Sequence, residues 1–247
     1  MSAHHSTLNS NILNIYNASP VDAKLYELKT TSAAMASIIE RSIIPAAAIL
    51  LLAGHFAPWV AHKTAALTLS AHELAVFTHF TPGAGIFLNQ WFYLPLWSAA
   101  LIGAMLARGI ADRVNRMLAA LGCAVIASLG MPGYPQVLTA FRNPDFQLQF
   151  YLSLMVFVAV FVAAFAPFLK RANMVAAVQG ALFAFAAVPL AGYLAVKPAI
   201  EQLFGESVGI GAGFWLTLLA VIAGVVCSLL RVRHAASRQP EKAVLES

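Results

Sequence analysis

Residues 148–196 read LQFYLSLMVFVAVFVAAFAPFLKRANMVAAVQGALFAFAAVPLAGYLAV, and this stretch decides the fold. Two apolar runs, 148–169 and 174–196, flank Lys170 and Arg171, and neither run contains a charged side chain. Each has the roughly 20 residues that a helix rising about 1.5 Å per residue needs to cross about 30 Å of hydrocarbon. Lipid offers no water to an exposed peptide group, so such a run closes its hydrogen bonds internally, as an α-helix. The short connection 170–173 predicts that the two helices return on each other as an antiparallel hairpin.

Working outward, four more charge-free runs occur at 43–61, 86–107, 117–131 and 210–230. The shortest, 117–131, gains length from Arg113 and Arg116, whose apolar stems let their charged heads reach the interface. The expected fold is therefore an all-α integral membrane protein, a bundle of six transmembrane helices. Charge then orients it. Lys24, Lys29, Arg41, Arg108, Arg113, Arg116, Lys170, Arg171, Arg231, Arg233, Arg238 and Lys242 fall on one side, against Lys63, Arg142 and Lys197 on the other. Basic residues accumulate on the cytoplasmic side, so both termini are expected to be cytoplasmic. A multi-pass protein of a plasma membrane is implied, with the bacterial inner membrane as the default.

Composition agrees. The 247 residues are 60% hydrophobic and 10% charged, with mean hydropathy +0.77, whereas a soluble domain carries roughly 25% charged residues. The organisation expected is a cytoplasmic N-terminal segment (1–42), a six-helix membrane domain (43–230) and a basic cytoplasmic tail (231–247). The net charge of +5 belongs to the cytoplasmic flanks. No basic patch interleaved with aromatics exists, so no nucleic-acid partner is expected. Cys123 and Cys227 lie singly inside apolar runs, which excludes a CxxC redox pair or a cysteine-rich metal site.

Within the N-terminal segment, Ser19, Pro20 and Asp22 form a helix start, because they cap, pre-set and complement the first turn. An interfacial amphipathic helix is expected from there to Ile39. The outer connections 62–85, 132–147 and 197–209 are longer than the inner ones, and 62–85 is the most structured. Ser70 and Glu73 have capping-box spacing, each able to satisfy an orphan amide of the other. Leu74, Phe77 and Phe80 share one face of the helix that follows, and Thr81-Pro82-Gly83 ends it.

Three roles compete for this loop. It lies on the membrane surface as an amphipathic helix. Alternatively it re-enters the bundle, with Pro82, Gly83, Gly85, Asn89 and Gln90 as ligand or gating residues, joined by Gln179, the deepest amide of the apolar runs. Or the outer histidines hold metal, with His55, His62, His72, Glu73 and His79 as ligands. Against metal, His72 and His79 stand about 10 Å apart along a helix, and Val76 occupies the position at which an HExxH motif needs its second histidine. The sequence specifies no cofactor. Trp59, Trp91, Tyr93 and Trp97 are expected at headgroup depth as an aromatic belt, with a ring-lined ligand pocket as the alternative, and Gly209 and Gly213 form a GxxxG spacing that favours close helix packing.

No Asp, Glu, Lys or Arg falls within the runs, no phosphate-binding loop occurs, and no intramembrane protease motif is present. The function expected is a non-catalytic polytopic membrane subunit of a larger, transport complex. Its partners are the lipid bilayer and other membrane protein subunits. Two alternatives stand beside it: a stand-alone transporter or channel for a neutral or lipophilic solute, and a metal- or haem-dependent oxidoreductase subunit using the outer histidines.

Overall fold

The computed structural model describes residues 31, 42–61, 68–79, 86–166 and 172–237. Residues 1–39 form a unit apart from 40–247, and the description below concerns the second unit. The expected interfacial helix, His62, Phe80, the Pro82-Gly83 turn, Gly85 and the tail beyond Ser237 lie outside the described residues.

The protein is mostly helical. Four helical stretches are long and apolar enough to cross a membrane: Asn89–Ala107, Pro144–Phe165, Ala172–Phe204 and Ala212–Arg233. The expectation of a helical membrane protein holds at that level. The run at 43–61 departs from it. Its helix, α1, covers only Ile44–Phe56, and the residues beyond turn into a strand, β1 (Pro58–Ala61). Pro58 explains the stop, since the residue before a proline is pushed out of the helical region; Ala57 has ψ 155°. The run at 117–131 lies within α5 (Arg113–Ser128), which is 16 residues long and so also short of the crossing length.

Prolines set two further breaks by one mechanism. A proline ring clashes with the carbonyl four residues earlier and offers no amide to it. The run 86–107 is accordingly split into α3 (Ile86–Trp91) and α4 (Leu94–Ala107). Trp91 stands four residues before Pro95. The run 174–196 is split into α7 (Ala172–Phe185) and α8 (Val188–Phe204), and Phe185 stands four before Pro189. Two other helix starts are capped by side chains. Asp112 accepts from the Asn115 amide at 2.9 Å to open α5. Asn143 accepts from the Asp145 amide at 3.1 Å to open α6 (Pro144–Phe165).

The helix α4 is the axis of the bundle. Ten of its residues are buried, from Pro95 to Ala107, and it packs on α1, α5, α6 and α7. The last helix, α9 (Ala212–Ser237), packs on α1 and α7. The α4/α5 hairpin forms as expected, whereas α6 packs mainly on α4 and α5, and α7 mainly on α9. A short connector fixes direction but not which faces meet, so the hairpin expected from 148–196 is not the principal pairing of those helices. Between α7 and α9 the backbones approach closely: a Cβ added at Gly224 would run into the Phe183 ring. Gln179 of α7 accepts from the Arg231 guanidinium at 2.6 Å, tying the same two helices.

A small cap closes one end of the bundle. Strands β2 (Leu69–Ser70), β1 and β3 (Gly209–Ile210) form an antiparallel sheet in the order β2-β1-β3. The short helix α2 (Ala71–His79) follows β2. The expected capping box is present: the Ser70 amide donates to Glu73 Oε2 at 2.6 Å, and the Glu73 amide donates to Ser70 Oγ at 3.3 Å. The GxxxG expectation is corrected here. Gly209 is in a strand, and Gly211 and Gly213 make room for β1, with the Gly211 amide donating to the Trp59 carbonyl at 2.7 Å.

The aromatic belt is also corrected. Trp59 is fully buried, Tyr93 and Trp97 nearly so, and only Trp91 is exposed. Trp59 stands edge-on to Phe92, Tyr193 and Phe214, with ring centroids 5.8–6.0 Å apart, and its Nε1 donates to the Gly54 carbonyl at 2.7 Å. The strand β1 and the break before α4 turn these rings inward, where they roof the core under the cap.

Candidate ligand cavity at the cap end

A cavity of about 570 Å³ opens beside the cap. Its wall is assembled from several elements: His72, Ala75 and Val76 of α2, Asn89 of α3, Tyr93 at the helix break, Ser128 at the end of α5, the following segment 129–133, Gln136, and Phe146 and Gln149 of α6. The proline break positions Tyr93, because a continuous helix through 86–107 would not leave this step at its wall. The capping box starts α2 at the turn that presents His72. Gln149 donates through Nε2 to the Gly130 carbonyl at 2.9 Å, which binds α6 to the segment after α5 and fixes the cavity floor.

Among the described residues, no carboxylate, ammonium or guanidinium lines this space. Its polar groups are amides, hydroxyls and one imidazole, set among rings. It falls within the size range of small-molecule sites, roughly 300–1,000 Å³, which are concave, mostly apolar and carry a few placed polar groups.

Behind the wall lies a cluster of three rings. His55 of α1 is fully buried. Its ring centroid is 6.1 Å from His72 and 6.1 Å from Tyr93, and His72 is 5.7 Å from Tyr93. Tyr93 in turn stacks on Trp97 at 5.7 Å. Among the described residues, neither Nδ1 of His72 nor Nε1 of Trp97 has a hydrogen-bond partner, and the His55 imidazole has none beyond the Phe92 backbone. A buried polar group left in that state costs about 1–3 kcal/mol, so several in contact mark a place where something else completes the bonding.

The sequence-derived candidates divide accordingly. Asn89 lines the cavity and His72 forms part of its wall. Gln90 is buried on α3 but is not among the lining residues. Gln179 lies away from this cavity, and its side-chain oxygen accepts from the Arg231 guanidinium. Of the five proposed metal ligands, the structure brings His55 and His72 together. Glu73 is exposed and engaged with Ser70. His79 closes α2 seven positions after His72, and His62 is outside the described residues. Among the described residues no group of three or more His, Cys, Asp or Glu could hold a metal ion.

Sequence reasoning missed Gln136 and Gln149 as wall residues and offered Tyr93 only as the alternative to an aromatic belt. Gln149 left a signal: it is an amide just inside the otherwise apolar run 148–169. Tyr93 left an ambiguous one, because a ring with a polar tip suits an interface and a ligand wall equally. Set against known proteins, the chain matches no family model, no curated protein and no solved structure.

Proposed function

We propose that the chain is a non-catalytic polytopic subunit of a membrane transport complex, and that the cavity at its cap end receives a small, uncharged, hydrogen-bonding solute. The observation that carries this reading is the cavity wall, which combines rings and neutral polar groups with no fixed charge. A charged solute would find no counter-ion there, and desolvating it would be costly. A neutral one with a ring or an alkyl body and one or two polar groups would meet the Gln136, Gln149, Tyr93 and Ser128 side chains.

A subunit role, rather than a stand-alone transporter, is supported by helix length. The helix α1 has 13 residues and α5 has 16, both short of the roughly 20 needed to cross hydrocarbon unaided. A neighbouring chain would shield the ends that lipid does not match. In the arrangement proposed, the six apolar runs all cross, the termini are cytoplasmic, and the cap faces outward, in line with the twelve-to-three distribution of basic residues. The membrane is a plasma membrane, in a bacterium the inner one.

Two measurements test this. Equilibrium binding of charged and uncharged solutes to the purified chain is expected to select uncharged ones, and Gln149→Ala is expected to weaken the best of them at least about tenfold, the scale of one well-made polar contact. Selection of charged solutes would overturn the assignment of the cavity. Mild-detergent purification is expected to bring reproducible partner chains. Flux in proteoliposomes holding this chain alone would replace the subunit reading with the stand-alone one.

A further inference from the structure

We propose that His55 and His72 form a two-coordinate site for a soft monovalent metal ion, copper(I), behind the wall of the cavity. This goes beyond the solute-binding reading and does not depend on it. Three observations carry it. The first is that the two imidazoles come from different elements, α1 and α2, and meet with centroids 6.1 Å apart. That is about the separation expected when one nitrogen of each ring faces a single ion at a bonding distance near 2.0 Å. The second is bonding capacity. Among the described residues the fully buried His55 imidazole has no partner beyond the Phe92 backbone, and Nδ1 of His72 has none, so each ring keeps a nitrogen that can offer a lone pair. The third is the ligand count. No third His, Cys, Asp or Glu joins them among the described residues, whereas zinc is held by three or four protein ligands. A closed-shell monovalent ion is satisfied by two opposed neutral donors.

The surroundings favour the same ion. Aromatic rings enclose the pair: Phe56 lies 4.9 Å from His55, and Tyr93 lies 5.7 Å from His72. A divalent ion would bring two uncompensated charges into this apolar space; a monovalent ion brings one. Met131 lines the adjoining cavity, and a thioether suits a soft cation. No redox step is implied, because the ion binds and leaves as copper(I).

The test uses the full-length chain in detergent, with Cys123→Ser and Cys227→Ser introduced together so that thiols cannot take the metal. Silver(I) serves as a redox-inert probe, and copper(I) is supplied anaerobically. One equivalent per chain is expected, with X-ray absorption showing two nitrogen neighbours. His72→Gln is expected to weaken binding at least tenfold, and Arg113→Gln, at the exposed start of α5, to leave it unchanged. Should His72→Gln fail to fold, the absorption spectrum of the cysteine-free chain decides by itself. Absence of bound silver(I), equal binding by a folded His72→Gln variant, or a metal shell without two nitrogen donors would overturn the proposal. Tighter retention of zinc(II) than of copper(I) would overturn the choice of ion.

Discussion

Trp59 gathers much of the packing under the cap into one side chain. It is fully buried, edge-on to three rings, and hydrogen-bonded to the Gly54 carbonyl. Trp59→Ala is expected to lower stability by about 3–5 kcal/mol, the usual cost of truncating a large buried ring, as read by thermal unfolding in detergent. Gly224→Ala is expected to cost about 1–3 kcal/mol, since the added methyl meets the Phe183 ring; Gly122→Ala, where a Cβ meets nothing, is the control. At this scale the sequence is legible in kind but not in depth. It marks Trp59, Tyr93 and Trp97 as amphipathic rings and assigns them to headgroups. Their burial follows from a strand and a helix break that hydropathy does not register. Gln179 is similar: an amide in an apolar run announces a hydrogen bond, while its partner, Arg231, is separated from it by a helix and a half of chain.

Elements were more readable where local chemistry decides them. The capping box at Ser70 and Glu73, the end of α1 before Pro58 and the caps at Asp112 and Asn143 all follow from nearest neighbours along the chain. Ser70→Ala is expected to destabilise α2 by about 0.5–2 kcal/mol. Hydrogen exchange at the amides of 71–74 would show it as faster exchange, with little change in α6. Because α2 carries His72, the same substitution is expected to loosen the cavity wall and weaken solute binding. What was not legible is the sheet. Its strands are short, and Val60 pairs with Ile210, a contact that no local pattern encodes. The apolar letters of β1 continue the run of α1, so period and composition give the same reading for helix and strand. The cavity wall draws on four separated stretches, which is why only Asn89, His72 and, as an alternative, Tyr93 among its members could be named beforehand.

For the whole molecule, charge asymmetry and the cap make one prediction together. In a cysteine-free background, Tyr134→Cys, at a position 83% exposed in the segment after α5, is expected to react with an impermeant maleimide from outside intact cells. Ala111→Cys, exposed in the connection between α4 and α5, is expected to react only after permeabilisation. The opposite pattern would reverse the proposed orientation. Membrane character was legible from composition alone, because a chain with so few charges has no other solvent available. The number of crossings was not, because apolar letters report what dissolves in lipid and not how much of it is helix.

The pairing of α1 with α9, and of β1 with β3, also has a meaning in time. A ribosome delivers α1 well before α9. In the interval α1 waits, with Gly54 and Trp59 lacking the surface of α9 that will cover them. The cap cannot close until Gly209 and Ile210 have emerged. A chain truncated before Gly209 is therefore expected to be held by the insertion machinery or degraded, however complete its middle helices are, so that α9 acts as the checkpoint for α1.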